Sequence, residues 1–527
     1  MPLLAAVDST AAIPDVVRVL GVVALAALGA AAMVAPRTSA RAAAVLGALV
    51  LGPVLLVLEI WHAPQLSFAR DRPLVALGGG ALAAAAVCVP LAVLFARRPW
   101  VMTLCAVAAL PFRIPVEAGG ETANLLVPLY LVIAAGGLAW AVPRLRADAP
   151  APRAPRLLEI FLAASIVLYA LQSAYSSDLD KAIEQTVFFY APFALLFVVM
   201  RDLNWSPRRL HAVFRVLVAL ALVFVAVGFW EYATRRLLLN PKVIASNEYE
   251  QYFRVNSLFF DPNIYGRFLS VVMLGLAAIL LWSQRPRLAA AATAGLAVLW
   301  GGLVLTLSQS SFAGLLCGLL VLAALRFSWR AVAPALAALA MAGVLILVVF
   351  PGAIGLDLGD AKRLDDATSG RYELVQGGLE LAGDRPLLGW GAGAFAEEYD
   401  RHADAGTPPA VSASHTIPIT VAAEQGIVGL LVYLALLVVA LRQLLHDATG
   451  NPYRAVVAAA VVAIVVHTWA YAAFLEDPLI WTLLAIGTAL ARPRPTADNA
   501  ATRRTAAPSR GARTRPRATP SASTGAR

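Results

Sequence analysis

About twenty apolar residues in one helix cross the roughly 30 Å hydrocarbon core of a bilayer, and this chain supplies such stretches one after another. About 15 can be placed, running through 14–35, 41–60, 74–96, 100–116, 124–142, 156–175, 185–200, 209–232, 264–282, 288–307, 310–326, 331–350, 416–441, 454–474 and 477–491. Composition agrees: hydrophobic residues fill 60% of the 527 positions and charged residues 14%, with a mean hydropathy of +0.74, which excludes a water-soluble globular chain. Backbone groups in hydrocarbon must pair within their own segment, so the fold class is all-α, a polytopic membrane helix bundle with about 12–15 transmembrane helices. The first apolar run has neither a basic leader nor a small-residue cleavage site, and reads as a retained span.

Arginine alternates between connections and sets the expected orientation. Arg37 and Arg41, Arg97 and Arg98, Arg144 to Arg156, Arg201 to Arg209, Arg285 and Arg287, Arg326 and Arg330, and Arg442 and Arg454 fall on one side of the spans. The short connections around Glu117, Ser308 and Asp477 carry no basic residue, so the first side is expected to be cytoplasmic. On this count the last span ends inside. Residues 492–527 follow with nine Arg and one Asp, Pro/Ala/Thr/Ser/Arg-rich and without apolar periodicity, and are expected to be a disordered basic cytoplasmic tail. Plain solvated disorder is the first reading of this tail; as a partner, anionic membrane lipids suit a segment directly after a span better than nucleic acid, because no aromatics interleave its charges. Cys88, Cys105 and Cys317 lie inside apolar segments and read as packing residues. The Ala/Arg/Pro bias suggests a bacterial genome rich in G and C, hence a multi-pass protein of the cytoplasmic (inner) membrane.

Two long connections, 233–263 and 351–415, fall on the extracytoplasmic side, and function is expected there. Three regions follow: N-terminal transmembrane helices over 1–250, a second transmembrane region over 251–491 that includes the 351–415 loop, and the 492–527 tail. The spans hold almost no acid at mid-depth, against a proton-coupled transporter, and no inverted pair of Gly/Pro-broken segments stands out. Polar candidates gather instead near the outer interface: Arg254, Asp261, Asn263, Arg267, Arg371, Arg385, His415, Glu424 and His467. Asp261 before Pro262 reads as a helix cap. Arg385 in "GDRPLLG" reads as a turn residue, and His467 as a buried, hydrogen-bonded histidine. Nine residues separate His415 from Glu424, which on a straight helix sets them about 180° apart and about 13 Å along the axis. Glu424 therefore makes no dyad with His415 and is expected to meet an Arg from another segment or a buried network. Gly426 and Gly429 just below it are expected to admit a close helix neighbour.

The stretches "RYELVQGGLELAGDRPLLGWGAGAF" and "SHTIPITVAAEQGIVGLLVYLALL" together resemble the C-terminal signature of the O-antigen ligase and polymerase superfamily. In that signature an Arg opens a short helix, a "D-x-P-l-x-G-x-G" turn follows, and the long loop ends in a His above "E-x-G-x-x-G". "YFRVNSLFFDPNIYGRFLS" and "TLSQSSFAGLLCG" resemble its two upstream elements, so the likeness runs over about residues 250 to 445. Two positions depart from it: Thr416 stands where an Asn usually follows the His, and Gln309 where an Arg usually follows Ser308.

The resemblance implies a glycosyltransferase, a glycan ligase or polymerase of polysaccharide biosynthesis in the cell envelope. Its donor would be a polyprenyl-diphosphate-linked glycan such as an undecaprenyl diphosphate sugar, and its acceptor a hydroxyl of a glycan, lipid or protein. A histidine suits the base that takes the hydroxyl proton, and arginine suits a leaving diphosphate because its planar fork binds phosphate oxygens and stays charged. His415 is thus expected as base, with Arg254 and Arg371 on the diphosphate; Arg385, Asn263 and Glu424 are the expected substrate-binding residues. No metal or cofactor is expected. The alternative is a transporter or flippase of a lipid-linked or polar solute.

Overall fold

The computed structural model describes residues 14–59, 70–118, 121–146, 152–239, 253–334, 371–402, 414 and 416–491, with 337, 338 and 341. His415, the 492–527 tail and most of the expected span over 331–350 lie outside the described residues.

The apolar stretches become helices punctuated by proline. In chain order these are α1 (Asp15–Val34), α2 (Thr38–Glu59), α3 (Pro73–Arg97), α4 (Pro99–Ala109), α5 (Val127–Ala141), α6 (Leu157–Gln172), α7 (Leu179–Gln185), α8 (Ala191–Asp202), α9 (Pro207–Thr234), α10 (Pro262–Trp282), α11 (Pro286–Thr306), α12 (Gln309–Arg326), α13 (Arg371–Asp384), α14 (Phe395–His402), α15 (Ile417–Leu445), α16 (Pro452–Trp469) and α17 (Pro478–Leu490). A π-helical turn, Thr186–Tyr190, joins α7 to α8 without a break. Ten of these helices have Pro within their first two positions, where the missing N–H costs nothing and φ is already helical. Among the described residues, 12 helical segments are long and apolar enough to cross a membrane, and α4 and α17 are shorter apolar helices.

Two expectations change. The span expected over 100–116 stops at Ala109: Leu110 still has helical φ and ψ, but Pro111 after it has no N–H with which to continue the hydrogen-bond ladder. The chain then forms a two-stranded antiparallel hairpin, β1 (Ile114–Ala118) with β2 (Glu121–Leu125), Ala118 opposite Glu121, so the described residues are helical with one short hairpin.

The polar contacts separate into two ends. At one end Arg201 donates to Glu159 at 2.8 Å and to the Met33 carbonyl, both charges buried, and Trp140 donates to Asp202. At the other end Arg18 of α1 pairs with Glu59 at the end of α2 and with Asp180 of α7. This second end also collects the start of α10, the ends of α11 and α16 and the starts of α12, α15 and α17, hence the point where the 351–415 connection rejoins the bundle. Between the ends the core is continuous and apolar, with α10 and α17 buried nearly all round while α3 is largely exposed, as a lipid-facing helix would be.

Candidate active site

The stretch "FFDPN" folds as its residues dictate. Asp261 accepts from the backbone N–H groups of Asn263 at 2.6 Å and Ile264 at 3.2 Å, capping α10 behind Pro262. Its other oxygen accepts from the Tyr471 hydroxyl at 2.6 Å; burial, then the Asp261 charge, pushes that phenol up and keeps its proton in place as donor. The cap presents Asn263 to Arg254: Nη2 of Arg254 donates to Asn263 Oδ1 at 3.2 Å, and Nε to the Thr306 carbonyl at the end of α11 at 3.0 Å. Two of the expected site residues therefore meet. The loop that carries Arg254 is held by Glu231, a fully buried acid of α9 whose carboxylate accepts from the N–H of Ser257 at 2.7 Å and of Leu238 at 3.1 Å. Sequence reading passed over Glu231, although a lone acid near the end of an apolar run was the signal.

Below this cap, Arg267 and His467 occupy each other. Nε and Nη2 of Arg267 both point at His467 Nδ1, at 3.2 and 3.0 Å. A guanidinium has no lone pair to offer, so Nδ1 is the acceptor and the ring proton sits on Nε2. That nitrogen faces the Asn263 carbonyl at 3.1 Å and Ser310 Oγ at 3.2 Å. Asp477 balances the Arg267 charge at 2.6 Å, and two further N–H groups fix the carbonyls of Ala472 and Ala473. His467 is thus the buried, hydrogen-bonded histidine that was expected, and Arg267 is committed to holding the turn between α16 and α17.

The "GDRPLLGWGAGAF" stretch docks against α15, which is not straight. Gly426 interrupts it with φ 63° and ψ −164°, and the backbone of residues 386–391 fills the interruption. Ile427 N–H donates to the Pro386 carbonyl at 2.8 Å, while Trp390 and Gly391 N–H groups donate to the carbonyls of Ala423 at 3.0 Å and Glu424 at 2.8 Å. Every backbone group freed by the break that these bonds reach is paired, which makes a break at membrane depth tolerable. The glycines are required by contact as well as by φ: a Cβ on Gly389, at φ 70°, lies 2.3 Å from the Glu424 carbonyl oxygen, and one on Gly426 lies 2.4 Å from the Leu387 carbonyl. The straight-helix geometry and the close helix neighbour expected at Gly426 are corrected accordingly. What comes close there is loop backbone.

Of the two partners expected for Glu424, an Arg from another segment or a buried network, the structure shows the second: Oε1 accepts from the backbone N–H of Phe395 at 3.4 Å, at the N-terminus of α14. Arg385 is exposed, with its guanidinium 3.8 Å from the centroid of Trp390, whose ring N–H in turn holds the Leu381 carbonyl at 2.9 Å. Arg371 is the first residue of α13, as expected. Of the chain around position 415, Ser414 is fully buried; its N–H donates to Thr420 Oγ1 at 3.1 Å and its hydroxyl to the Thr416 carbonyl at 2.9 Å, so both neighbours of His415 are tied into the first turn of α15.

That turn is also the rim of a cavity of about 220 Å³ between α6, α7, α15 and the 472–476 turn. Its wall includes Ile417, Thr420 and Glu424 on one side and Lys181, Gln185, Tyr190 and Glu476 on the other. Among the described residues no group of three or more His, Cys, Asp or Glu side chains is disposed to hold a metal ion.

With this arrangement in view, one sequence comparison bears on part of the second half of the chain. Residues 294–434 match the family described as O-antigen ligase. That segment belongs to the O-antigen ligase and polymerase superfamily. The O-antigen ligase segment runs from α11 through α15 beyond its break, and so takes in Arg371, Arg385, His415 and Glu424, while Arg254 and Asn263 precede it and join it through Thr306. The likeness of this segment is to membrane glycan ligases, and the 12 membrane-length helices among the described residues make the chain a multi-pass membrane protein. No curated protein and no solved structure matches the chain.

Proposed function

We propose that the chain transfers a glycan from a polyprenyl-diphosphate carrier to an acceptor hydroxyl at the extracytoplasmic face of a bacterial inner membrane. In this reading the acceptor oxygen attacks the anomeric carbon, the bond from that carbon to the diphosphate oxygen breaks, and the hydroxyl proton passes to His415. Arg254 and Arg371 meet the negative charge that grows on the departing lipid diphosphate, which makes a metal dispensable. The observation that carries the proposal is the anchoring of Ser414 and Thr416 to the first turn of α15, at the bundle end that also carries Arg254. A base must be held at a fixed place if it is to meet both a lipid-borne donor and a water-borne acceptor.

One observation favours a transporter instead, since broken membrane helices are common where transporters coordinate solutes. The break at Gly426 differs in a way that matters: the backbone groups at Ala423, Glu424 and Ile427 are spent on residues 386–391 and not offered to a solute. The deciding experiment reconstitutes the full chain in vesicles with a polyprenyl-diphosphate-linked oligosaccharide and a hydroxyl acceptor. Transfer by the wild type and its loss in an inserted, folded His415→Ala variant support the proposal. Movement of the lipid-linked sugar across the bilayer without any transfer would replace it with the flippase reading.

A further inference from the structure

The cavity beside the first turn of α15 has a chemistry that the transfer step leaves unused. Glu476 lies in the turn between α16 and α17; its Oε1 is 3.0 Å from the Tyr190 hydroxyl, and its Oε2 is buried with no hydrogen-bond partner. An orphaned buried acceptor is uncommon and signals a missing donor. Beside it Gln185 Oε1 accepts from the Tyr169 hydroxyl at 2.8 Å and lies 3.0 Å from the Tyr190 hydroxyl, whose single proton it shares with Glu476, while the Gln185 NH2 makes no hydrogen bond among the described residues. Acceptor and donor are thereby presented together, as neighbouring hydroxyls of a sugar require. Tyr433 and Phe474, edge to face at 5.7 Å, add apolar ring surface for the C–H face of such a ring.

Size and charge narrow the ligand. A cavity of about 220 Å³ is smaller than the roughly 300–1,000 Å³ sites that take drug-sized molecules, so it admits one ring and not an oligosaccharide. Lys181, the cationic side chain on the wall, is paired with Glu184 at 3.1 Å, so among the lining residues no cation is left to balance a carboxylated sugar. We propose that this cavity is a subsite for a single neutral sugar unit, held by Glu476 and Gln185. It rests on the glycan-transfer reading for its substrate class. Its wall includes Ile417, so a sugar held there lies against the same first turn of α15 that anchors Ser414 and Thr416.

The test measures binding without requiring turnover. Saturation-transfer NMR on the full chain in lipid nanodiscs is run with the methyl glycosides of glucose, galactose, mannose and N-acetylglucosamine, and with methyl glucuronide as the acidic control. At least one neutral glycoside is expected to bind and the glucuronide not; Glu476→Ala and Gln185→Ala weaken binding by about tenfold or more, as lost hydrogen bonds in a closed site do. Val432→Trp, which fills the cavity without touching its polar groups, is expected to abolish binding, and thermal unfolding of each variant reports whether it is folded. His415→Ala is expected to retain binding while losing transfer. If no neutral glycoside binds, or binding survives both Val432→Trp and Glu476→Ala in folded protein, the subsite is refuted even where the wild type transfers glycan. If binding behaves as stated and the wild type transfers nothing, the transfer reading fails and the subsite stands. To separate a donor from an acceptor sugar, the bound glycoside is added to the transfer assay: extension of the glycoside marks an acceptor site, inhibition without extension a donor site.

Discussion

Thr420 holds Ser414. The Ser414 amide donates to Thr420 Oγ1 at 3.1 Å and the two hydroxyls lie 2.9 Å apart, so a side chain one turn inside α15 fixes the chain on the near side of His415. Replacing Thr420 by Val keeps its shape and strands a buried amide, a cost of about 1–3 kcal/mol concentrated on this turn. Glycan transfer is expected to fall by about tenfold or more in Thr420→Val with the protein still folded, and to recover in Thr420→Ser, which restores the acceptor. Equal rates in wild type and Thr420→Val, measured in the same vesicles, would mean the anchor does not position the base.

The break in α15 gives a second expectation. Gly389 and Gly426 both have positive φ and each faces the other segment's backbone within 2.4 Å of an added Cβ, so neither accepts a side chain without separating the loop from the helix. Gly389→Ala and Gly426→Ala are each expected to lower the unfolding midpoint and to expose residues 385–395 to protease. A strained φ alone costs about 1–3 kcal/mol, and the clash adds to it. Since both act on one interface, their effects combine to less than their sum; full additivity in the double variant would show that the two contacts are independent.

What could be read from sequence and what could not divides along the same line. The apolar stretches gave the membrane class because burial in hydrocarbon leaves a backbone few choices, and Asp261 before Pro262 gave a helix cap because both residues act on their own neighbours. The break at Gly426 was hidden, since the apolar run continues through it and its cause is a loop about 40 residues earlier in the chain. For Glu424 the sequence left an Arg or a buried network open for a related reason: the backbone amide that serves, at the start of α14, belongs to a distant segment. Glu476 drew no notice beside Asp477, and only the cavity and its unpaired oxygen distinguish the two.

Arg267 and Asp477 form a buried pair that can be broken from either side. Removing one partner leaves an uncompensated charge, at a cost of about 3–5 kcal/mol in buried sites. Arg267→Gln and Asp477→Asn are each expected to lower the unfolding midpoint strongly. Asp477→Asn is expected to be the milder, because asparagine still caps α17 through the Leu479 N–H that Asp477 now holds at 2.8 Å. The double variant is expected to be more stable than Arg267→Gln alone, a reversal that a double-mutant cycle in detergent detects.

Glu476 gives the pH dependence its sign. Burial, the largest influence, pushes its carboxyl above the ordinary carboxylate range, against the lowering effect of its own backbone N–H, the Tyr190 hydroxyl and the charges of Lys181 and Arg267. The folded value thus lies above the unfolded one, folding takes up a proton, and the stabilisation present below the ordinary carboxylate range is lost as pH rises through the raised value. Glu476→Gln keeps an acceptor for Tyr190 and carries no charge to bury. Its unfolding midpoint is expected to match wild type near about pH 4 and to exceed it increasingly toward about pH 8, where an unfolded glutamate is ionised and a buried one pays for its charge. A gap between the two proteins that stays constant across this range would mean that Glu476 titrates as it does in water, and would place its carboxylate in contact with solvent.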